Sequence, residues 1–389
     1  MSNSLNILHV ADNSYPSIGG VERVIHEVAK RQASRGHRVT VVSQHQNFSS
    51  LRPSTFQFEG VTYIKLPRMV FPYLAFAYSE RLNPDIIHLN SYLSSSFFSK
   101  WGIKEKVVRH IHDVYTNMFQ KYFGANFGAN IEHLASKLEK RWTERFDYYM
   151  VPSHSTKTKL SRLVGNHKRV WIIPNGVDTS VFRPRHEFPL KKRLGLKEHS
   201  KLVGFVGRIA MGKGAFDTYL AVKPFLERCE DTYLVYIGPS EIMRTSGQKS
   251  ALRKIMKQAV FDGLSSKLCY VPPLNDYELA SAYSELEVLM LPSVSEGFGL
   301  SVLEAAACGT PSVVYDSGSL PELVDDGKTG LIVKQGDVRG LTQALDTILW
   351  DNRLREELSH NCVLKAKKYD WDNVVSEVAS VYKQVLNAS

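Results

Sequence analysis

The stretch that most constrains this chain runs from Ser293 to Pro311, SVSEGFGLSVLEAAACGTP. Ahead of it, Val288-Leu289-Met290-Leu291 is an unbroken apolar run, which reads as a strand buried on both faces. Strand, glycine loop and helix follow in that order. This order belongs to an α/β sheet. It presents free backbone N–H groups and the positive end of a helix to an anion. Glu304 falls about two turns into the helix, and Glu296 sits just before it. One glutamate can reach a pair of sugar or ribose hydroxyls while the loop holds a phosphate. A ligand that joins an anion to a polyhydroxyl, such as a nucleotide sugar, fits this chemistry.

A chain of 389 residues predicts two domains, because single cores rarely grow past about 250–300 residues. The strand and helix signals divide accordingly. Leu5–Val10 reads as a strand, and a glycine-containing loop leads into a helix over Val21–Arg35. Val21, Val24, Ile25, Val28 and Ala29 share one face of that helix, and Gly36 stops it. Val39–Val42 is the next strand, so the start is a βαβ unit with a parallel sheet. Further strands are predicted at Val61–Leu66, Ile86–Leu89, Val107–Ile111 and Tyr148–Val151. A second series starts after Ile172-Ile173-Pro174-Asn175-Gly176, with strands at Leu202–Val206, Tyr233–Ile237, Leu268–Val271, Val288–Leu291, Ser312–Tyr315 and Gly330–Val333. The expected fold is α/β, with two Rossmann-like doubly wound domains facing across a cleft. The expected boundaries are 1–174, 175–370 and a closing helical segment, 371–389, that packs back toward the first domain. The turn-rich stretch Pro174–Pro189 is the expected linker.

Cys229, Cys269, Cys308 and Cys362 lie far apart and form no disulfide framework, which points to a reducing compartment. No signal peptide and no apolar run of about 18 residues is visible, so a cytoplasmic protein is expected. The net charge is +10, and the excess lies before Asn175. A one-sided excess suits an anionic partner, either a phosphorylated acceptor, an acidic membrane surface or nucleic acid, or else a plain solvated surface. No helix-turn-helix, RNA-recognition or zinc module supports nucleic acid. Two aromatic stretches, Met69–Tyr78 and Met118–Phe127, the latter running on to Lys137, Lys140, Arg141 and Arg145, suit a bilayer surface or a core beside a solvated helix.

A second loop, GRIAMGKG, follows the strand Leu202–Val206. Arg208 and Lys213 are two cations on a glycine-hinged loop, which suits a diphosphate or a surface ion-pair set. It is not a Walker loop, since Gly214 and Ala215 follow the lysine. Gly19 and Gly20 precede the first helix, giving another anion-binding start or a simple tight turn. Arg109-His110-Ile111-His112-Asp113 closes a strand. His-x-His-Asp alone is a weak metal pattern, and no Asp-x-Asp donor-metal motif is present.

Together these segments resemble the retaining glycosyltransferases of family 4, which have the GT-B architecture. The likeness covers almost the whole chain. Its strongest motif is Glu-x7-Glu, here Glu296 to Glu304. GRIAMGKG, SYPSIGGVERVIHEVAKRQASRGHRVTVVS, VPPLNDYELASAYSELEVLMLPS and GSLPELVDDGKTGLIV resemble family segments in the same order. The resemblance implies that Glu304 binds the donor ribose and that Glu296 contacts the transferred sugar. Gly297, Phe298, Gly299 and Leu300 would offer backbone contacts to diphosphate or sugar. Arg208 and Lys213 would hold the diphosphate, with Gly19 and Gly20 near the donor phosphates or the acceptor. Val271–Asn275, including Pro273 and Leu274, would border the base. His112 would face the donor sugar. No cofactor or metal is implied. The implied partners are a nucleotide-sugar donor, UDP favoured over GDP, and a glycan or lipid-linked acceptor, with peripheral attachment at an anionic membrane. Domain closure is expected. A nucleotide-sugar 2-epimerase of the same architecture is the alternative enzyme class.

Overall fold

A computed structural model describes residues 4–17, 19–47, 49–91, 94–95, 98, 106–114, 141, 143–165, 168–240 and 251–388. The chain forms two compact units. One comprises Met1–Asn175 and Trp371–Ser389, and the other Gly176–Asp370. The first crossing falls one residue beyond the expected boundary. The crossing lies within the expected linker Pro174–Pro189, most of which belongs to the second unit. Val177 and Phe182 are buried in the second unit's core, and the Val177 N–H donates to the Tyr369 carbonyl at 2.8 Å.

The first unit holds an eight-stranded sheet ordered β3-β4-β2-β1-β5-β6-β7-β8. The strands are β1 (Asn6–Ala11), β2 (Arg38–Gln44), β3 (Ser54–Phe58), β4 (Val61–Leu66), β5 (Ile86–Leu89), β6 (Val107–His110), β7 (Tyr148–Val151) and β8 (Arg169–Ile172). The ladders are parallel apart from β3–β4. Central strands such as β1 and β5 are buried on both faces, which is why they read as apolar runs. The sequence reading missed β3 and β8. Both lie at the sheet edges: β3 is mostly exposed and mixes polar with apolar residues, whereas β8 is a short, half-buried run just before the Pro174-Asn175-Gly176 segment.

The helix Gly20–Ser34 buries Val24, Ile25, Val28 and Ala29. Against it lies the last helix, Trp371–Ala388, burying Val374, Val375, Val378, Val381, Tyr382 and Val385. Each large apolar side chain removed from water stabilises by about 1.5–3 kcal/mol, so this helix is an integral part of the first unit's core. Arg35 secures the same face by donating to the Asp372 carbonyl at 2.8 Å.

The second unit holds a six-stranded parallel sheet ordered β11-β10-β9-β12-β13-β14. Its strands are β9 (Lys201–Val206), β10 (Thr232–Ile237), β11 (Leu268–Val271), β12 (Leu286–Leu291), β13 (Ser312–Tyr315) and β14 (Gly330–Val333). The winding runs outward in both directions from the β9–β12 pair. In the first sheet the same reversal falls between β1 and β5. Such switch points open a crevice beyond the carboxyl ends of the strands, where ligands of α/β sheets bind.

Candidate functional site

The two glycine loops flank the switch point of the second sheet. GRIAMGKG leaves β9, and SVSEGFG leaves the neighbouring β12. They are stitched together. The Val294 N–H donates to the Gly212 carbonyl at 3.1 Å, and the Ser293 hydroxyl reaches the same oxygen at 3.3 Å. Gly214 sits at φ +75°, and a Cβ there would run into the Pro292 carbonyl. This close approach places Lys213 over the second loop. Its Nζ lies 2.6 Å from Glu296 Oε1, and both side chains are largely shielded. Arg208 is exposed at the end of β9.

Gly299 at φ +105° turns the chain into the helix Leu300–Ala307. No side chain caps that helix start, so its first N–H groups remain for an anion. Ser319 braces the loop from β13's side. Its N–H donates to the Glu296 carbonyl at 3.2 Å, and its hydroxyl to the Phe298 carbonyl at 2.7 Å. Glu304 is buried in the second turn, where its Oε2 accepts from the Tyr283 hydroxyl at 3.1 Å. Pro273 and Leu274 follow β11, two strands from the switch point but at the same end of the sheet. Asn275 caps the helix Asp276–Glu285 through a reciprocal capping box with Glu278. The structure thus gathers Arg208, Lys213, Glu296, Gly297, Phe298, Gly299 and Leu300 around one crevice and sets Pro273 and Leu274 at its edge.

Gly19, Gly20 and His112 belong to the first unit. Gly19 precedes the helix Gly20–Ser34 in extended conformation, with no side-chain cap. The loop leaves β1 at that sheet's own switch point. His112 follows β6, and its Nε2 lies 3.0 Å from Oδ1 of Asn90, which follows β5. Behind it stands an array that the sequence reading missed. The rings of His9 (β1), His88 (β5), His110 (β6) and His112 succeed one another at 4.7, 5.1 and 4.0 Å between centroids. His88 Nε2 meets His110 Nδ1 at 2.9 Å, and His88 Nδ1 meets the Tyr382 hydroxyl at 2.6 Å. Gln32 joins Tyr382 to His9, at 3.2 and 2.8 Å. The signal was present in the sequence: a histidine inside an apolar parallel strand must find a partner when buried.

Burial pushes His9 down to about 4, against a hydrogen bond to the Gln32 Oε1 that favours the charged form. Burial, then the charge of Arg109, pushes His112 down to about 3. His88 and His110 are driven well below the ordinary value, again chiefly by burial. All four rings are therefore neutral at physiological pH.

Of the aromatic stretches, Met69–Tyr78 divides. Phe71, Ala75 and Phe76 of the helix Phe71–Leu82 are buried, whereas Met69 (82% exposed), Val70 (48%) and Tyr73 (53%) face solvent. Met118–Phe127, Lys137 and Lys140 lie outside the described residues. Among the described residues, no helix is long and apolar enough to cross a membrane. Among them, too, no cluster of three or more His, Cys, Asp or Glu is arranged to hold a metal ion.

Comparison with known proteins agrees with this geometry. Residues 18–181 match the model of Glycosyltransferase Family 4, and residues 187–368 that of Glycosyl transferases group 1. A D-inositol 3-phosphate glycosyltransferase of Acidothermus cellulolyticus is 34% identical over 56% of this chain and 48% of its own length. This chain therefore spans about half of that relative. The enzyme of that name from Corynebacterium diphtheriae is 26% identical over 94% of this chain and 89% of its own length. Among solved structures, sucrose-phosphate synthase from Thermosynechococcus elongatus superimposes with a TM-score of 0.84 at 22% identity, covering 98% of this chain and 99% of that one. Anabaena HepE in complex with UDP and glucose gives 0.77 at 17% identity, covering 98% and 100%. The chain belongs to the family 4-type glycosyltransferases of the GT-B fold.

Proposed function

We propose that this glycosyltransferase moves a sugar from a nucleoside diphosphate donor, with UDP favoured over GDP, to an acceptor hydroxyl with retention of configuration. The observation that carries the donor reading is the pair of stitched glycine loops at the β9–β12 switch point, with Lys213 beside Glu296. The diphosphate lies against the uncapped start of Leu300–Ala307, with Arg208 and Lys213 offsetting the charge that grows on it as it leaves. Glu296 meets the transferred sugar, and Glu304 the ribose. Gly19 and Gly20 are assigned to the donor phosphates or the acceptor, and Pro273 and Leu274 to the base. His112 meets the donor sugar. The acceptor oxygen bonds to the anomeric carbon as the bond to the phosphate oxygen breaks, and that phosphate oxygen takes the acceptor's proton. No protein nucleophile is assigned.

The acceptor is placed at an anionic membrane face. Met69, Val70 and Tyr73 are exposed next to Arg68. Leu51 is 75% exposed, and His45 ties its segment to the end of β4: the His45 N–H donates to the Leu66 carbonyl and its Nε2 binds the Arg52 carbonyl, each at 2.9 Å. Exposed apolar side chains with Arg52 and Arg68 next to them in sequence suit a lipid-linked acceptor at an acidic surface. The relatives' name adds that a phosphorylated polyol is the acceptor to try beside it.

The experiment is a thermal-shift panel with UDP, GDP and ADP, each with and without EDTA. Ligand at 100 times its dissociation constant adds about 2.7 kcal/mol. A selective, EDTA-insensitive shift is expected. No shift with any of the three at millimolar ligand overturns the donor reading. Co-sedimentation with anionic vesicles at low salt tests the membrane face, and absence of binding there overturns it.

A further inference from the structure

The His112 ring is held on two sides. Asn90 Oδ1 lies 3.0 Å from its Nε2, while Asn90 Nδ2 donates to the His88 carbonyl at 3.2 Å. The second bond fixes the amide, since a flipped Asn90 would set its oxygen against that carbonyl. Oδ1 can only accept, so Nε2 carries the hydrogen. A neutral imidazole has one N–H, so Nδ1 is a bare lone pair. It is buried and has no hydrogen-bond partner among the described residues. Such an atom is uncommon in a folded protein and calls for a ligand or a function. His110 stacks on the ring at 4.0 Å and 29°, which hinders the ring flip that would put Cε1 in place of Nε2 and Cδ2 in place of Nδ1.

We propose that Asn90 is a positioning residue that locks His112 in the Nε2–H form, so that Nδ1 accepts a hydrogen bond from one hydroxyl of the donor sugar. The inference rests on the reading that His112 meets that sugar. It makes the position a selector for a hydrogen-bond donor. An acceptor-only substituent there, whether fluorine, ether or carboxylate, sets lone pair against lone pair. Protonation of His112 does not rescue such a ligand at neutral pH. Its titratable and charged neighbours are His110, His88 beyond it, and Arg109, together with Asp113, which pairs with Lys159 at 3.2 Å. The Arg109 guanidinium is already bound to the carbonyls of Leu89 and Ser91.

The test uses the full chain with UDP- and GDP-sugars in which each hydroxyl is replaced in turn by hydrogen or by fluorine. At one ring position both replacements should lower kcat/KM alike, by about tenfold or more, because fluorine accepts but does not donate. Asn90→Asp sets a carboxylate beside Nε2 and favours imidazolium, which makes Nδ1 a donor. At acidic pH this variant should relax the fluorine penalty at that position and no other. The wild-type preference should return as pH rises and the imidazolium loses its proton. A merely structural role would depress all donors in parallel. Nitrogen-15 spectra of the imidazoles, with His112 assigned by comparison with His112→Gln, should show a bare Nδ1. Should Asn90→Asp not fold, Asn90→Ala should show a mixture of tautomers. An Nδ1–H signal in the wild type, a single tautomer in Asn90→Ala, or fluorine tolerated at every position overturns the proposal. Failure of every nucleotide to bind instead overturns the donor reading, while the spectrum still decides the tautomer.

Discussion

Lys213 and Glu296 stand on different loops, 83 residues apart, and meet at 2.6 Å beside the β9–β12 switch point. Each is the other's counter-ion when no ligand is present. In the proposed reaction a diphosphate draws the ammonium away, and a sugar hydroxyl takes its place at the carboxylate. The pair therefore holds both side chains in the crevice and keeps either charge from being shielded alone.

Lys213→Ala is expected to lose about a hundredfold or more in kcat, the usual scale for removing one group that stabilises developing negative charge. The variant also leaves the shielded Glu296 carboxylate without its counter-ion, so a moderate fall in melting temperature should accompany the loss of turnover. Initial rates of nucleoside diphosphate release, read beside a thermal melt, check this. Turnover at the wild-type rate would remove Lys213 from the mechanism.

Gly214→Ala strikes the same group through the backbone. The new Cβ meets the Pro292 carbonyl, and φ +75° is strained for any residue with a Cβ. A loss of about 1–3 kcal/mol in stability is expected, with weakened nucleotide binding as Lys213 shifts. Urea titration and a UDP or GDP binding isotherm measure the two parts.

Acid should destabilise the first unit steeply. His9, His88, His110 and His112 have folded-state values below the ordinary 6.5. The unfolded chain therefore binds protons that the folded one does not. Stability from this source is complete above about pH 6.5 and falls as pH drops below it, by about 1.4 kcal/mol per pH unit for each histidine. Urea unfolding at pH 7.5 and 5.5 should show a large drop in midpoint. A midpoint that does not change would mean that the rings are not buried neutral.

Tyr382→Phe removes the hydroxyl shared by His88 and Gln32. Two buried polar groups then lose a partner, and about 1–3 kcal/mol of stability should go with them. The effect belongs to the first unit, so UDP or GDP binding should persist. Denaturant titration with and without nucleotide separates the two.

Much of this arrangement was legible from residue order. The β12 run and its glycine loop announced themselves because a doubly covered parallel strand is apolar throughout and a helix start after glycine is distinctive. The winding of both sheets followed from strand and helix alternation. Edge strand β3 did not show because it is mostly exposed and its composition is mixed, and β8 because its four residues are too few to stand apart from the segment that follows. Asn90, His9, His88 and Tyr382 escaped for a different reason. Their meaning lies in contacts between residues up to 350 positions apart, as between Gln32 and Tyr382, and no local spacing encodes that. The Lys213–Glu296 pair was half visible: both residues were named, but their contact was not.

The return of Trp371–Ala388 to the first unit has a consequence for biosynthesis. Domains usually fold as they emerge, with the N-terminal one first. Here the N-terminal unit leaves the ribosome lacking the helix that packs against Gly20–Ser34 and supplies Tyr382 to His88 and Gln32. Gly176–Asp370 can reach its final form sooner, although it is made later. The nascent chain must shelter an incomplete apolar face through the synthesis of the whole second unit, and a stop codon anywhere before the last helix condemns the first unit as well.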